Sequence, residues 1–181
     1  MSNTIITYSI LSFLILFIFA LASYKLNLVD LPSARKIHLK PTAFTGGLTM
    51  SIIYICSIQL FDIHGKDLNL ILSIAFLIAI LGLIDDKYNL DTGSKLSLQI
   101  IPIFYLIVFE NMTLTHIGDY RWFKLNLGTF SIPFTLLCVL FLINSFNYFD
   151  GVDGLLSLVS ISVLAIIYFL IDDENTKLFL I

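Results

Sequence analysis

The first group of residues that could do chemistry is basic and follows an apolar N-terminal segment. Four basic side chains fall within six positions, and these are Arg35, Lys36, His38 and Lys40. Pro32 and Pro41 flank the group and stiffen an extended loop. Gly46-Gly47 permits close backbone approach or positive φ where the chain becomes apolar again. A loop that only anchors the protein at the membrane by its charge would need the basic residues and nothing else. The close spacing of these residues between two prolines therefore favours contact with an anionic phosphate headgroup.

The second group is acidic. Asp85 and Asp86 directly follow a run of apolar residues, which predicts that both carboxylates begin a loop at a membrane boundary. Adjacent carboxylates repel each other, and a low-dielectric edge raises the cost. Mg²⁺ bridging to phosphate oxygens would compensate; an acidic helix cap in water is the alternative. Lys95, one helical turn before Gln99, could neutralise a phosphate near the aspartates or extend its amine to the interface.

The third group combines amides with carboxylates. Asn144, Asn147 and Asp150 share one face at helical spacing, and Gly151 and Gly154 then frame Asp153. Amides inside a membrane are costly unless they face a bundle interior or a watered cavity. Hydrogen bonding between helices would explain the asparagines but not the Asp-Gly-Val-Asp-Gly turn. Two carboxylates three residues apart, with a glycine between them, suit a nucleotide or metal site.

Composition determines which elements must position these residues. Hydrophobic residues make up 58% of the 181-residue chain and charged residues 13%, about half the charge of a soluble domain. This predicts an all-α, polytopic transmembrane bundle, residues 1–181 forming a single membrane domain. Six complete spans and the start of a seventh are predicted, at about 5–24, 47–61, 68–84, 96–109, 132–149, 155–171 and 178–181.

The loops between these spans alternate between the two membrane faces. Loops 25–46, 85–95 and 150–154 fall on one face and hold six Lys or Arg residues, against four in the loops on the other face. The positive-inside rule makes the first face cytoplasmic and the N-terminus external. On the outer face, residues 110–131 predict an interfacial hairpin anchored by aromatic residues. Cys56 and Cys138 lie alone in apolar runs and are interpreted as free thiols. No basic patch suggests nucleic-acid binding.

Taken in order, the three groups resemble the polyprenyl-phosphate N-acetylhexosamine-1-phosphate transferases, of the glycosyltransferase family 4 type. The matching motifs are Arg35-Lys36-x-His38 with Gly46-Gly47, Asp85-Asp86, and Asn144-x-x-Asn147-x-x-Asp150-Gly151-x-Asp153-Gly154. The first is similar to the sugar-transferase branch rather than the muramyl-pentapeptide branch. The resemblance implies transfer of N-acetylhexosamine-1-phosphate from a UDP-sugar to polyprenyl (undecaprenyl) phosphate, with release of UMP. Such a step initiates a cell-surface polysaccharide or cell-wall glycan at the cytoplasmic face of the inner (plasma) membrane.

The resemblance also implies roles for individual residues. Asp85 or Asp86 helps to deprotonate or position the lipid phosphate, and both hold Mg²⁺ or Mn²⁺. Asn147 and Asp153 contact the uridine or its ribose, and Asn144 and Asp150 bind substrate beside them. The residues expected near a substrate phosphate are Lys95, Arg35, Lys36 and His38.

Several features depart from the family pattern. The chain corresponds to the N-terminal half of the family fold, and the later Met-Gly-Asp-x-Gly and histidine-rich motifs have no counterpart in it. Ala43 stands where many relatives have a second proline. The chain alone is therefore expected to be inactive or very weak. The open alternatives are a truncated or catalytically inactive remnant and a partner subunit, completed by a C-terminal half or by a second copy.

Rival functions fit less well. In a CDP-alcohol phosphotransferase Ala-Arg would follow the first Asp-Gly, whereas Leu155 and Leu156 follow here. A prenyl-diphosphate synthase needs Asp-Asp-x-x-Asp, and position 89 is Asn. A transporter would carry its carboxylates in the middle of spans, whereas these lie at span ends.

Overall fold

The structure is a computed structural model that describes residues 2–30, 41–62, 65–120, 123–149, 154–172 and 177. Within these ranges the chain is dominated by α-helices. In chain order they are α1 Ser2–Lys25, α2 Gly46–Phe61, α3 Lys66–Tyr88, α4 Thr92–Phe109, α5 Ser131–Phe149 and α6 Leu155–Leu170. Each predicted complete span therefore coincides with a helix. The predicted seventh segment lies outside the described residues.

The helices have the length and composition of membrane spans. Among the described residues, α1 from Ile5, α3, α4 and the segment Gly128–Phe149 are long and apolar enough to cross a bilayer. Helices α2 and α6 are apolar but have 16 residues each, or roughly 24 Å, so a bilayer that they cross would have to thin locally around them. Large side chains such as Phe13 of α1, which is 68% exposed, are suited to lipid. The chain is an α-helical, polytopic membrane protein, as predicted.

The chain divides into two compact units, residues 1–95 and 96–181. In the first unit, α1 packs on α2 and α2 packs on α3. Ser23 and Thr45 share a buried hydrogen bond of 2.7 Å between their hydroxyl oxygens, and Thr49 donates to the Thr45 carbonyl at 2.8 Å. Small hydroxyl residues let helix backbones approach closely inside a membrane, which explains why this contact between α1 and α2 is polar.

A short strand pair joins the two ends of the first basic loop. Strands β1 (Val29–Asp30) and β2 (Thr42–Ala43) pair antiparallel, and the Tyr24 hydroxyl donates to the Pro41 carbonyl at 2.9 Å. The sequence predicts an extended loop here but no strand pairing. Gly46 and Gly47 are the first residues of α2 and do not have positive φ, so the positive φ considered for them was wrong. A side chain at Gly47 would lie 3.9 Å from Cβ of Ala79, an ordinary van der Waals contact.

In the second unit a hairpin follows α4. Strands β3 (His116–Tyr120) and β4 (Phe123–Asn126) pair antiparallel, which confirms the predicted hairpin. Thr135 of α5 accepts a hydrogen bond from the Leu114 amide at 2.9 Å, so the segment leading into the hairpin is attached to α5. Helix α6 begins after Gly154, whose φ of 78° lies in the left-handed region that favours glycine.

Candidate functional site

The paired aspartates lie in a helix rather than at the start of a loop. Helix α3 continues through Asp85 and Asp86 to Tyr88, and α4 begins at Thr92, so the predicted loop 85–95 was wrong at both ends and only residues 89–91 connect the two helices. Asn89 ends the helix in the left-handed conformation, with φ of 50° and ψ of 65°, and its amide donates to the Asp85 carbonyl at 2.7 Å. Asparagine is one of the few residues that adopts this conformation readily, so the helix stops one turn later than the apolar run.

Carboxylates in the last turn of a helix lie at the negative end of the helix dipole. The structure compensates this unfavourable position with cations. Lys87 also lies in the last turn of α3, and the Lys95 ammonium lies 2.6 Å from Oδ2 of Asp85. The side chains of Lys95 and Asp85 are 20% and 17% exposed, so solvent screens this ion pair only in part. Asp86 is exposed.

Lys95 is positioned by the capped start of α4. The Asp91 carboxylate accepts hydrogen bonds from the Ser94 hydroxyl at 2.6 Å and the Ser94 amide at 3.0 Å. These bonds hold the pKa of Asp91 below its usual range, the hydroxyl contributing most. A side-chain acceptor at this position satisfies an amide that the first helical turn leaves unpaired. Helix α4 therefore begins at Thr92, four residues before the predicted span.

Asn144 and Asn147 both lie in α5, as predicted, but their environments differ. Asn144 is half-buried, and its amino group donates to Oε1 of Gln99 at 3.1 Å and to the Leu140 carbonyl at 2.8 Å. Asn147 is exposed, and no hydrogen bond of its side chain occurs within the described part of the chain. Hydrogen bonding between helices, the alternative interpretation of the asparagines, therefore holds for Asn144.

The sequence predicted the position of Gln99 one turn after Lys95 but no partner for its side chain, which is only 6% exposed. The available signal was a glutamine within an apolar helix, since such a side chain needs a partner. The predicted residues Arg35, Lys36, His38, Asp150 and Asp153 lie outside the described residues. The structure thus brings Asp85 together with Lys95 in the first unit, and Asn144 together with Gln99 in the second.

A divalent cation fits the described acidic residues only with help from substrate. Within the described ranges no three His, Cys, Asp or Glu side chains form a group that could hold a metal. Mg²⁺, however, is commonly held by one or two carboxylates together with water and substrate phosphates. The adjacent carboxylates of Asp85 and Asp86 provide that number, and Oδ2 of Asp85 is also paired with Lys95. Cys56 and Cys138 are half-buried free thiols.

Comparison with known proteins adds independent information. The model of glycosyl transferase family 4 matches residues 68–181, more than half of the chain. The chain is 30% identical to a probable undecaprenyl-phosphate N-acetylglucosaminyl 1-phosphate transferase of Bacillus subtilis, over 78% of the chain and 41% of that protein. It is 29% identical to the undecaprenyl-phosphate alpha-N-acetylglucosaminyl 1-phosphate transferase of Escherichia coli O157:H7, over 98% of the chain and 49% of that protein.

A protein of the same name from Salmonella typhi is 31% identical, over 94% of the chain and 47% of that protein. The chain thus spans about half or less of the length of these relatives. No solved structure matches it at a significant level. The family match extends across both aspartates, Lys95 and the motif that starts at Asn144. The resemblance inferred from the three polar groups is therefore confirmed, and the chain belongs to glycosyl transferase family 4.

Proposed function

We propose that this chain takes part in the transfer of N-acetylhexosamine-1-phosphate from a UDP-sugar to undecaprenyl phosphate. The observation that carries the proposal is the family match over residues 68–181, which contains the acidic pair and the asparagine motif. The names of the three relatives describe transfer of N-acetylglucosaminyl 1-phosphate involving undecaprenyl phosphate. The apolar helices supply a membrane location for a lipid substrate.

The proposed reaction is a displacement at phosphorus. A phosphate oxygen of undecaprenyl phosphate forms a bond to the sugar-linked phosphorus of the UDP-sugar, and the bond from that phosphorus to the UMP oxygen breaks. UMP leaves with the bonding electron pair, and a lipid-diphospho-sugar remains in the membrane. Reactions of this class depend on alignment and charge neutralisation more than on covalent help.

The Asp85–Lys95 pair suits the lipid phosphate. Lys95, in the first turn of α4, holds its ammonium beside Asp85 at the end of the apolar helix α3, where it can neutralise an arriving phosphate. Asp85 or Asp86 then positions that phosphate or accepts its proton. Mg²⁺ or Mn²⁺, held by Asp85 and Asp86, would supply charge neutralisation at the phosphate oxygens.

The remaining predicted residues are assigned to the nucleotide sugar and its phosphates. Asn147 and Asp153 contact the uridine or its ribose, with Asn144 and Asp150 binding beside them. The residues near a substrate phosphate are Arg35, Lys36 and His38. This chemistry takes place at the cytoplasmic face of the inner membrane, where a soluble UDP-sugar meets the lipid, and it initiates a cell-surface glycan. A C-terminal half or a second copy of the chain would be a partner.

Substrate binding tests this proposal without requiring the chain to be active alone. The chain is placed in lipid nanodiscs, and equilibrium binding of UDP-N-acetylglucosamine and of undecaprenyl phosphate is measured with Mg²⁺. Both ligands are expected to bind, and Asp86→Asn is expected to weaken binding of the phosphate-bearing ligands about tenfold, since it removes one charge from a cation site. Asp67→Asn, an exposed carboxylate in the first turn of the same helix, is the matched control.

Binding of neither ligand by a folded wild-type chain would contradict the proposal. If Asp86→Asn and Asp67→Asn weakened ligand binding equally, the acidic pair would have no specific role in binding the phosphates. Formation of labelled lipid-diphospho-sugar, measured in the same nanodiscs, tests separately whether 181 residues suffice for turnover.

A further inference from the structure

The amide pair formed by Gln99 and Asn144 has a defined polarity. The Leu140 main-chain carbonyl can only accept a hydrogen bond, so the Asn144 atom that faces it at 2.8 Å must be the amino nitrogen. The same nitrogen lies 3.1 Å from Gln99, so Gln99 must present its oxygen there. One backbone carbonyl thus fixes the orientation of both carboxamides.

This arrangement leaves one group of Asn144 uncommitted. Its amino group has two hydrogens, and Leu140 and Gln99 accept both. The side-chain oxygen Oδ1 makes no hydrogen bond within the described part of the chain. Flipping the Asn144 carboxamide would place this oxygen against the Leu140 carbonyl oxygen, and the two oxygen atoms would repel each other. Oδ1 is therefore held as an acceptor in one direction.

Burial distinguishes Gln99 from an ordinary surface residue. Gln99 is 6% exposed in the apolar helix α4, where an amide is retained at a cost. A hydrogen bond that only joins two helices would be one explanation, but such bonds contribute modestly inside membranes. Asn144 already has an acceptor one turn back in its own helix. The second acceptor adds orientation, because a carboxamide with both hydrogens bound has lost its freedom to rotate.

We infer that Gln99 is a positioning residue that holds Asn144 so that Oδ1 accepts a hydrogen bond from the nucleoside or sugar part of the UDP-sugar. This inference rests on the proposed function. A phosphate that is fully ionised offers only acceptors, so an amide oxygen cannot bind it directly. Uridine and N-acetylhexosamine carry N–H and O–H donors. Gln99 therefore acts on the nucleotide sugar and not on the phosphate of the lipid.

Binding measurements in nanodiscs test the inference with a double-mutant cycle. Gln99→Met keeps an unbranched side chain of similar length but removes the acceptor, and it is expected to weaken UDP-N-acetylglucosamine binding about threefold to tenfold. Undecaprenyl phosphate binding is expected to stay unchanged. In the Asn144→Leu background, Gln99→Met is expected to cause no further loss, because a positioning residue acts only through its partner. An equal loss in both backgrounds would overturn the inference.

Gln99→Glu is the rescue variant. A glutamate retains an acceptor oxygen in either protonation state, so near wild-type UDP-N-acetylglucosamine affinity is expected. If Gln99→Met does not fold, Gln99→Glu still tests the inference. A UDP-N-acetylglucosamine affinity of Gln99→Glu as low as that of Asn144→Leu would contradict a role based on the acceptor oxygen. A wild-type chain that binds no UDP-sugar would be a failure of the proposed function instead.

A spectroscopic measurement tests the positioning without any substrate. In protein labelled with ¹⁵N-asparagine, the side-chain amide signal of Asn144 is assigned by its loss in Asn144→Leu. Both of its protons are expected to exchange slowly with water in the wild type, and one is expected to exchange faster in Gln99→Met. Unchanged exchange in a folded Gln99→Met variant would show that Gln99 does not hold the amide, and would overturn the inference.

Discussion

Two opposite charges meet at the end of an apolar helix in the Asp85–Lys95 pair. Removing only the cation leaves a carboxylate that is 17% exposed beside the last carbonyls of α3. Breaking a fully buried pair in this way costs several kcal/mol, and partial exposure reduces the penalty. We expect Lys95→Met to lower the free energy of unfolding in detergent micelles by about 1–3 kcal/mol, measured by denaturant titration.

A double variant distinguishes loss of the ion pair from a general loss of stability caused by mutating α4. Asp85→Asn combined with Lys95→Met removes both charges, so the double variant is expected to be more stable than Lys95→Met alone. A double variant whose loss equals the sum of the two single losses would show that the side chains do not interact across 2.6 Å.

At the scale of an element, the start of α4 depends on the Asp91 carboxylate. The Ser94 hydroxyl and amide lower its pKa, so the folded state holds the charged form more strongly than the unfolded chain does. The stabilising contribution is fully present above the usual aspartate pKa and is lost as the pH falls through the lower, folded pKa. We therefore expect protection of the first-turn amides of α4 to decrease below about pH 4, measured by hydrogen exchange corrected for the intrinsic rate.

Asp91→Asn provides the control for this titration. Asparagine is also a good N-cap but has no titrating carboxylate, so protection in this variant should not follow the same acid transition. An identical transition in Asp91→Asn would assign the pH dependence to another group.

The same elements show how far the sequence could lead. The spans were predictable because about 20 apolar residues are needed to cross a bilayer, and the aromatic segment after α4 was recognisable as a hairpin. The end of α3 was not predictable from hydropathy, since Asn89 stops the helix by a backbone conformation rather than by polarity. The pairing of Gln99 with Asn144 depends on which faces of α4 and α5 meet, and an apolar pattern around the whole helix leaves that undetermined.

For the molecule as a whole, the proposed chemistry depends on which membrane face each polar segment reaches. Helix α4 has 18 residues, about 27 Å of helix, and is apolar enough to cross a bilayer. The segments before and after it should then lie on opposite sides, and α5 should bring the chain back. The distribution of basic residues in the sequence predicts that the end of α3 is cytoplasmic.

Single cysteines test this topology in a chain with Cys56→Ser and Cys138→Ser. Tyr88→Cys at the end of α3, Asn126→Cys in β4 and Tyr148→Cys near the end of α5 all replace exposed residues. A membrane-impermeant thiol reagent should label Asn126→Cys in intact spheroplasts. It should label Tyr88→Cys and Tyr148→Cys only in inverted membrane vesicles. Labelling of Tyr88→Cys and Tyr148→Cys from opposite sides would contradict the proposed transfer, because the aspartates and the asparagines could not then act on substrates at one membrane face.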